Sequence, residues 1–178
     1  LHRVLLSNMI RCWRDSWKQE LPFLLVQLPG FKNPGGWNPL DYVPIRQAQE
    51  QAIRGSERAW LICAMDVGMP YEIHPKHKEP VGRRLAWQAL HHVYGQDHLS
   101  DPPQVLGARK QDGRIDIWFS DCGRGLVLRP GETPLRLTVN AVEMPCTCTA
   151  QGDTLTISVP TLKASDRVHL EYAIVDYC

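Results

Sequence analysis

The chain has 178 residues, 43% of them hydrophobic and 22% charged, with a formal net charge of +1. That balance is the one expected of a globular protein; it shows no disordered tract and no basic patch of the kind that binds nucleic acid or another polyanion. The longest apolar run, Phe23 to Leu28, is broken by Gln27 and closed by Pro29, far short of the roughly 20 residues of a membrane span.

Leu1 to Trp17 is interrupted by His2, Arg3, Arg11, Arg14 and Asp15, which is not the pattern of a signal peptide. Leu5, Leu6, Met9, Ile10, Trp13 and Trp17 instead recur at three- and four-residue spacing and predict an amphipathic helix that ends before Pro22. Phe23-Leu24-Leu25-Val26-Gln27-Leu28 reads as a strand covered on both faces in a parallel sheet. A loop rich in Pro, Gly and Asn runs from Pro29 to about Leu40. A second helix is expected from about Pro44 to Arg54, with Gly55 as its stop.

Ala59-Trp60-Leu61-Ile62-Cys63-Ala64-Met65 repeats the buried-strand pattern and ends at Asp66. A third helix starts near Pro80, carries Val81, Leu85, Ala86, Ala89, Leu90 and Val93 inward, and stops at Gly95. The order of elements over residues 1–99 implies part of a three-layer α/β fold with a parallel sheet. Two strands apolar on both faces do not make a finished sheet, so further strands are expected from outside this sequence.

From about residue 100 to 178 the pattern changes to short alternating segments. They fall at Val105 to Arg109, Arg114 to Phe119, Leu126 to Leu128, Leu135 to Val139, Val142 to Thr149, Leu155 to Val159 and Val168 to Val175. Turn signals such as Gln111-Asp112-Gly113 and Gln151-Gly152-Asp153 separate them, and the whole predicts a β-sandwich or jelly-roll-like module. Cys146 and Cys148 should share a face within it as half-buried thiols, with no second pair at zinc-ligand spacing.

In parallel α/β sheets the loops after the carboxyl ends of strands build the active site. The loop after Met65 contains Asp66 and then Tyr71-Glu72-Ile73-His74-Pro75-Lys76-His77-Lys78. Pro75 disfavours helical geometry at His74, and an imidazole there could take a proton from a hydroxyl and return it to a leaving alcohol. A solvated loop histidine is the alternative. Gln27, polar near the end of an apolar strand, is a candidate substrate contact or a structural hydrogen-bonding group. Trp37 is a candidate for stacking on a sugar ring or for anchoring its own loop. His91, His92 and His98 cluster near the end of the third helix, but adjacent residues of an α-helix point in different directions, so no joint metal site is expected.

Glu72-Ile73-His74-Pro75-Lys76-His77-Lys78, followed by Val81-Gly82-Arg83-Arg84-Leu85-Ala86, resembles the histidine block of the sialate O-acetylesterase family. Members of that family read close to Asp-Ile-His-Pro-Lys-Asn-Lys and then Val-Gly-x-Arg-Leu-Ala. Met9-Ile10-x-x-Trp13-Arg14-x-x-Trp17, Leu21-Pro22-Phe23, Val26-Gln27-Leu28, Trp37 and Arg46-Gln47-Ala48-Gln49 are similar to the family in the same order. So, more weakly, are Gly152-Asp153-Thr154-Leu155 and Leu170-Glu171-Tyr172-Ala173.

The resemblance implies an incomplete SGNH-type (flavodoxin-like) hydrolase domain followed by the β module. It implies hydrolysis of acetyl esters on a sugar, foremost sialic acid, with no metal or organic cofactor. His74 would act as base and Glu72, two residues before it, as the acid that orients the ring; Asp66 is a competing carboxylate. The position three residues before the histidine, acidic in many SGNH enzymes, is Tyr71 here. The family's Gly-x-Ser-Asn nucleophile block has no counterpart. Leu6-Ser7-Asn8-Met9 lacks the glycine and falls inside the first predicted helix. The nucleophile and oxyanion blocks are therefore expected in an amino-terminal half preceding Leu1, and the chain alone is expected to be inactive. Related carbohydrate esterases leave acetylxylan as an alternative substrate, and a non-catalytic carbohydrate-binding or structural fragment is the alternative from another class. Relatives of this kind are secreted, periplasmic or lysosomal; the sequence itself leaves the compartment open.

Overall fold

A computed structural model describes residues 1–32, 41–128 and 135–177. The chain divides into two compact units, the first formed by Leu1–Asp101 together with the residues from Val175 on, the second by Pro102–Ile174.

The first unit contains helix α1 (His2–Trp17), strand β1 (Phe23–Val26), helix α2 (Tyr42–Arg54), strand β2 (Ala59–Ile62) and helix α3 (Glu79–Gln88). A 3-10 turn (Met65–Val67) follows β2, and a π-helical turn (Ala89–Val93) follows α3. Helix α2 begins two residues before Pro44 because the Asp41 carboxylate caps it, accepting the Val43 N–H at 3.0 Å. Strands β1 and β2 pair in parallel, Phe23 beside Ala59 and Val26 beside Ile62, joined through α2 as a parallel crossover requires.

Helices touch both faces of this pair. Phe23 meets Trp13 of α1 with ring centroids 6.0 Å apart, whereas Trp60, in register with Leu24, stacks on His92 beyond α3 at 4.5 Å. Neighbouring strand residues point to opposite faces, so the two aromatic contacts lie on opposite sides of the sheet. Arg14 of α1 fixes the amino-terminal ends of both strands, donating to the Leu21 carbonyl at 3.0 Å and the Glu57 carbonyl at 2.7 Å.

On the edge of β1 that faces away from β2, the Gln49 side chain of α2 stands in for a neighbouring strand. It accepts the Leu28 N–H at 3.0 Å and donates to the Val26 carbonyl at 3.2 Å. Among the described residues no third strand joins this sheet. Of the apolar stripe expected to bury α1, only Ile10 is buried; Leu6 is half-buried, and Leu5, Met9, Trp13 and Trp17 remain exposed.

At the carboxyl end of the sheet the loops after β1 and β2 are pressed together. A β-carbon placed on Gly68 would lie 2.2 Å from the Gly30 carbonyl oxygen and 2.6 Å from its nitrogen. The Lys32 N–H donates to the Pro70 carbonyl at 3.2 Å. The carboxyl-terminal segment returns to this same place. The Phe31 N–H donates to the Asp176 carbonyl at 2.7 Å, the Arg46 guanidinium to the Val175 carbonyl, and Tyr177 packs against Gly30. The last strand of the chain was expected to reach Val175; pairing stops at Tyr172 instead, and the residues from Val175 on serve the α/β unit.

The second unit is all β. One sheet has the order β3 (Gln104–Gln111), β4 (Arg114–Ser120), β8 (Thr154–Ser158), β7 (Thr147–Gln151); the other has β6 (Val142–Glu143), β5 (Leu135–Val139), β9 (Val168–Tyr172). All pairs are antiparallel. Ile115, Ile117, Leu155 and Ile157 of the first sheet share one core with Leu137 of the second, the packing of a β-sandwich. Leu126 to Leu128 is not a strand, although the Leu126 N–H is bonded to the Gly152 carbonyl at 2.8 Å. Cys146 and Cys148 pack against this core as expected, and burial pushes the Cys148 thiol up to about 11. Such thiols are protonated at neutral pH and are poor nucleophiles or metal ligands.

Two glycines of the first unit should respond oppositely to alanine. Gly68→Ala forces backbone atoms apart and should destabilise by about 1–3 kcal/mol or more. Gly82, inside α3 with nothing within 4 Å of its would-be β-carbon, should gain about 0.5–1 kcal/mol from Gly82→Ala. Urea unfolding followed by circular dichroism at 222 nm, where the helical first unit dominates, measures both.

Candidate active site

The segment from Gly68 to Lys78 hangs between two fixed points. At its start Gly68 is closed on Gly30. Beside that point Asp66, in the 3-10 turn after β2, is gripped by Arg84 of α3 through two bonds of 2.7 and 2.6 Å, and the same guanidinium donates to the Cys63 carbonyl at 2.8 Å. This forked pairing joins the first turns of α3 to the end of β2 and raises the pKa of Arg84. Asp66, weighed in the sequence as a possible acid partner for His74, holds the base of the loop through Arg84.

Within the loop, Glu72 folds back on the residue two positions ahead. One carboxylate oxygen, Oε1, accepts the His74 N–H at 3.0 Å and lies 3.4 Å from Nδ1 of the same residue's ring. The first contact is a side-chain-to-backbone turn that shapes the loop. The second is too long for a strong hydrogen bond, yet it puts the carboxylate on the Nδ1 side of the imidazole. The backbone hydrogen bond from His74 is the main cause that holds the Glu72 carboxyl below its ordinary pKa, with the His74 and Lys76 charges adding to it. Glu72 is therefore an anion at neutral pH.

The His74 side chain is 86% exposed and that of Glu72 44%. An imidazole with a carboxylate at Nδ1 is oriented to keep a proton there and to present Nε2 as a base toward whatever approaches from outside the loop. Hydrogen bonds of this kind are often long before substrate binds and tighten in the reacting complex.

The other residues singled out in the sequence lie elsewhere. Gln27 is 7% exposed and its side-chain nitrogen donates to Glu50 of α2 at 3.1 Å. Trp37 lies outside the described residues. Ser7 sits in the middle of α1, on continuous helix rather than on a glycine turn. Sequence reasoning missed Gly68 and Arg84 as supports of the loop. Arg84 stood within the quoted Val-Gly-x-Arg-Leu-Ala stretch but carried no assigned role, and Gly68 carried no local signal at all.

No family model matches the chain, and no curated protein does. Among solved structures it is similar to a carbohydrate acetylesterase, XAC1771 from Xanthomonas citri, with a TM-score of 0.80 and 28% sequence identity. The likeness covers 98% of this chain and 41% of that one, so the chain spans less than half the length of the enzyme it resembles. Over nearly its whole length, α/β unit and β-sandwich alike, this chain is related in structure to a carbohydrate esterase.

Proposed function

We propose that the chain forms the histidine-bearing part of a carbohydrate O-acetylesterase, with His74 as general base and Glu72 as the carboxylate that orients it. The observation that carries this reading is the Glu72–His74 pair on the loop after β2, at the carboxyl end of a parallel strand pair. The structural likeness to a carbohydrate acetylesterase supports the substrate class.

In this reading a serine hydroxyl supplied from outside the chain gives its proton to Nε2 of His74 as its oxygen attacks the acetyl carbon. The imidazolium, stabilised by Glu72, returns that proton to the sugar oxygen as the carbon–oxygen bond breaks. Water then attacks the acetyl-enzyme with the same proton relay and releases acetate. The outer edge of β1, which Gln49 meets and no further strand joins among the described residues, and the exposed apolar side chains of α1 are surfaces that a polypeptide bearing the serine would cover. Gln27 enters as a strut between β1 and α2. The finer reading, removal of acetyl groups from sialic acid, rests on the resemblance of the Glu72 to Ala86 segment; acetylated xylan is the competing substrate, and comparing the two as substrates separates them.

The chain alone should hydrolyse an aryl acetate no faster than its His74→Ala variant. In the enzyme completed by the serine-bearing part, His74→Ala should lower kcat/KM by about 10³-fold or more, and Glu72→Gln by a smaller factor of at least about tenfold. Enzymatic turnover by the isolated chain that survives His74→Ala would overturn the assignment.

The Glu72 contact carries its own pH signature. Its folded-state pKa is lowered, so the ordering it contributes is complete above the ordinary glutamate value of about 4.3 and is lost as pH falls through the lower folded value. The amide proton of His74, followed by NMR, should titrate with an inflection below about 4.3, and Glu72→Gln should abolish that inflection.

A further inference from the structure

Beyond α3 the backbone passes into the π-helical turn Ala89–Val93, then through Gly95 at φ +68° to Asp101. The wider turn rotates each residue by less than the 100° of an α-helix. His91 and His92, which α-helical geometry would send apart, instead meet edge to face with ring centroids 4.6 Å apart. A ring nitrogen of each and a carboxylate oxygen of Asp101 lie within 4.8 Å of one another.

Each of these three groups is held by a second partner. The Gln96 carbonyl lies 3.1 Å from Nδ1 of His91, where it takes the proton of a neutral ring and leaves Nε2 as the lone pair. His92 stacks on Trp60 with an interplanar angle of 13°, and its Nε2 lies 2.9 Å from both oxygens of Asp101. Asp101 also accepts from Nε2 of Gln88 at 3.2 Å. Metal-ligating imidazoles and carboxylates are commonly oriented in this way by outer hydrogen-bonding and packing partners.

A second observation points to the same place. Gln88 is 1% exposed, and while Nε2 of its amide donates to Asp101, its Oε1 has no hydrogen-bond partner among the described residues. A buried polar atom left unpaired calls for a water or an ion. A catalytic triad does not account for the cluster. Ser100 Oγ approaches Nε2 of His92 at 3.5 Å, the same nitrogen that faces Asp101, whereas a triad needs acid and hydroxyl on different nitrogens.

We infer that His91, His92 and Asp101 bind a divalent transition metal of the zinc class at the end of α3, in a site separate from the His74 loop. Two imidazoles and one carboxylate suit zinc or cobalt, with water as the fourth ligand. Ligands on a tetrahedral ion with bonds of about 2.0–2.1 Å stand roughly 3.3 Å apart, so the widest separation contracts by a small rotation of one ring. Binding displaces the proton held between His92 and Asp101. The inference does not depend on the esterase reading.

The test is titration of the full chain with cobalt(II), followed by its visible absorption, and then with zinc(II) as competitor. The expected result is one saturable site of micromolar affinity with the intense bands of a tetrahedral ion, displaced by zinc. His91→Gln, half-buried and outside the strand core, and Asp101→Asn should each weaken binding by at least about tenfold while far-UV circular dichroism stays unchanged. His77→Gln, in the other histidine-bearing loop, should leave it as it is. Absence of saturable binding below about 1 mM, or binding that survives both His91→Gln and Asp101→Asn, overturns the proposal.

Discussion

The α/β unit turns on a backbone contact with no room for a side chain. The loops that leave β1 and β2 cross at Gly30 and Gly68, where a single β-carbon would overlap a carbonyl oxygen and a peptide nitrogen. Because the two strands run in parallel, their carboxyl ends are side by side, and closing these loops on each other fixes where the chain starts its path toward His74. The carboxyl-terminal residues add to the closure by bonding Phe31 and packing Tyr177 on Gly30. Arg84 closes the far side by joining α3 to Asp66 and to the first carbonyl beyond β2. A long loop costs little more to close than a short one, and fixing its ends limits where it can run. Here both ends are fixed.

Within that frame two carboxylates divide the labour according to their surroundings. Asp66 meets a forked guanidinium and serves the scaffold. Glu72 meets a backbone N–H and the Nδ1 side of an exposed ring, and stays charged because the loop donates to it. One oxygen of Glu72 lies against both the His74 amide and the Nδ1 side of its ring. Loop shape and the setting of the imidazole thus share a single hydrogen-bond acceptor.

The histidines beyond α3 show how a small change of helix type alters chemistry. A hydrogen-bond shift from four to five residues over Ala89–Val93 turns two neighbours toward one another and toward Asp101. Trp60 on β2 and Gln88 on α3 then fix two members of the cluster from the core side. That concentration of oriented donors lies within the same unit as the His74 loop but is built from different elements.

What the sequence determined by itself was local and periodic. The apolar runs of β1 and β2, the helical spacing of α1 to α3 and the turn signals between the β strands all depend on neighbours a few residues away. Helix and strand geometry repeats over that same range, and so these features were legible. The short segment Leu126 to Leu128 predicts a strand by its pattern, but the bond of the Leu126 N–H to the Gly152 carbonyl in a turn does not build a ladder.

The tertiary structure decided what depends on residues far apart in the chain. It closed Gly68 on Gly30, gave Asp66 to Arg84 and Gln27 to Glu50, and brought the residues from Val175 on back to the α/β unit. It also set His91 beside His92 through a π turn that leaves no trace in hydrophobic spacing. A steric exclusion or a paired charge exists only once both partners are in place. No periodicity announces it in advance.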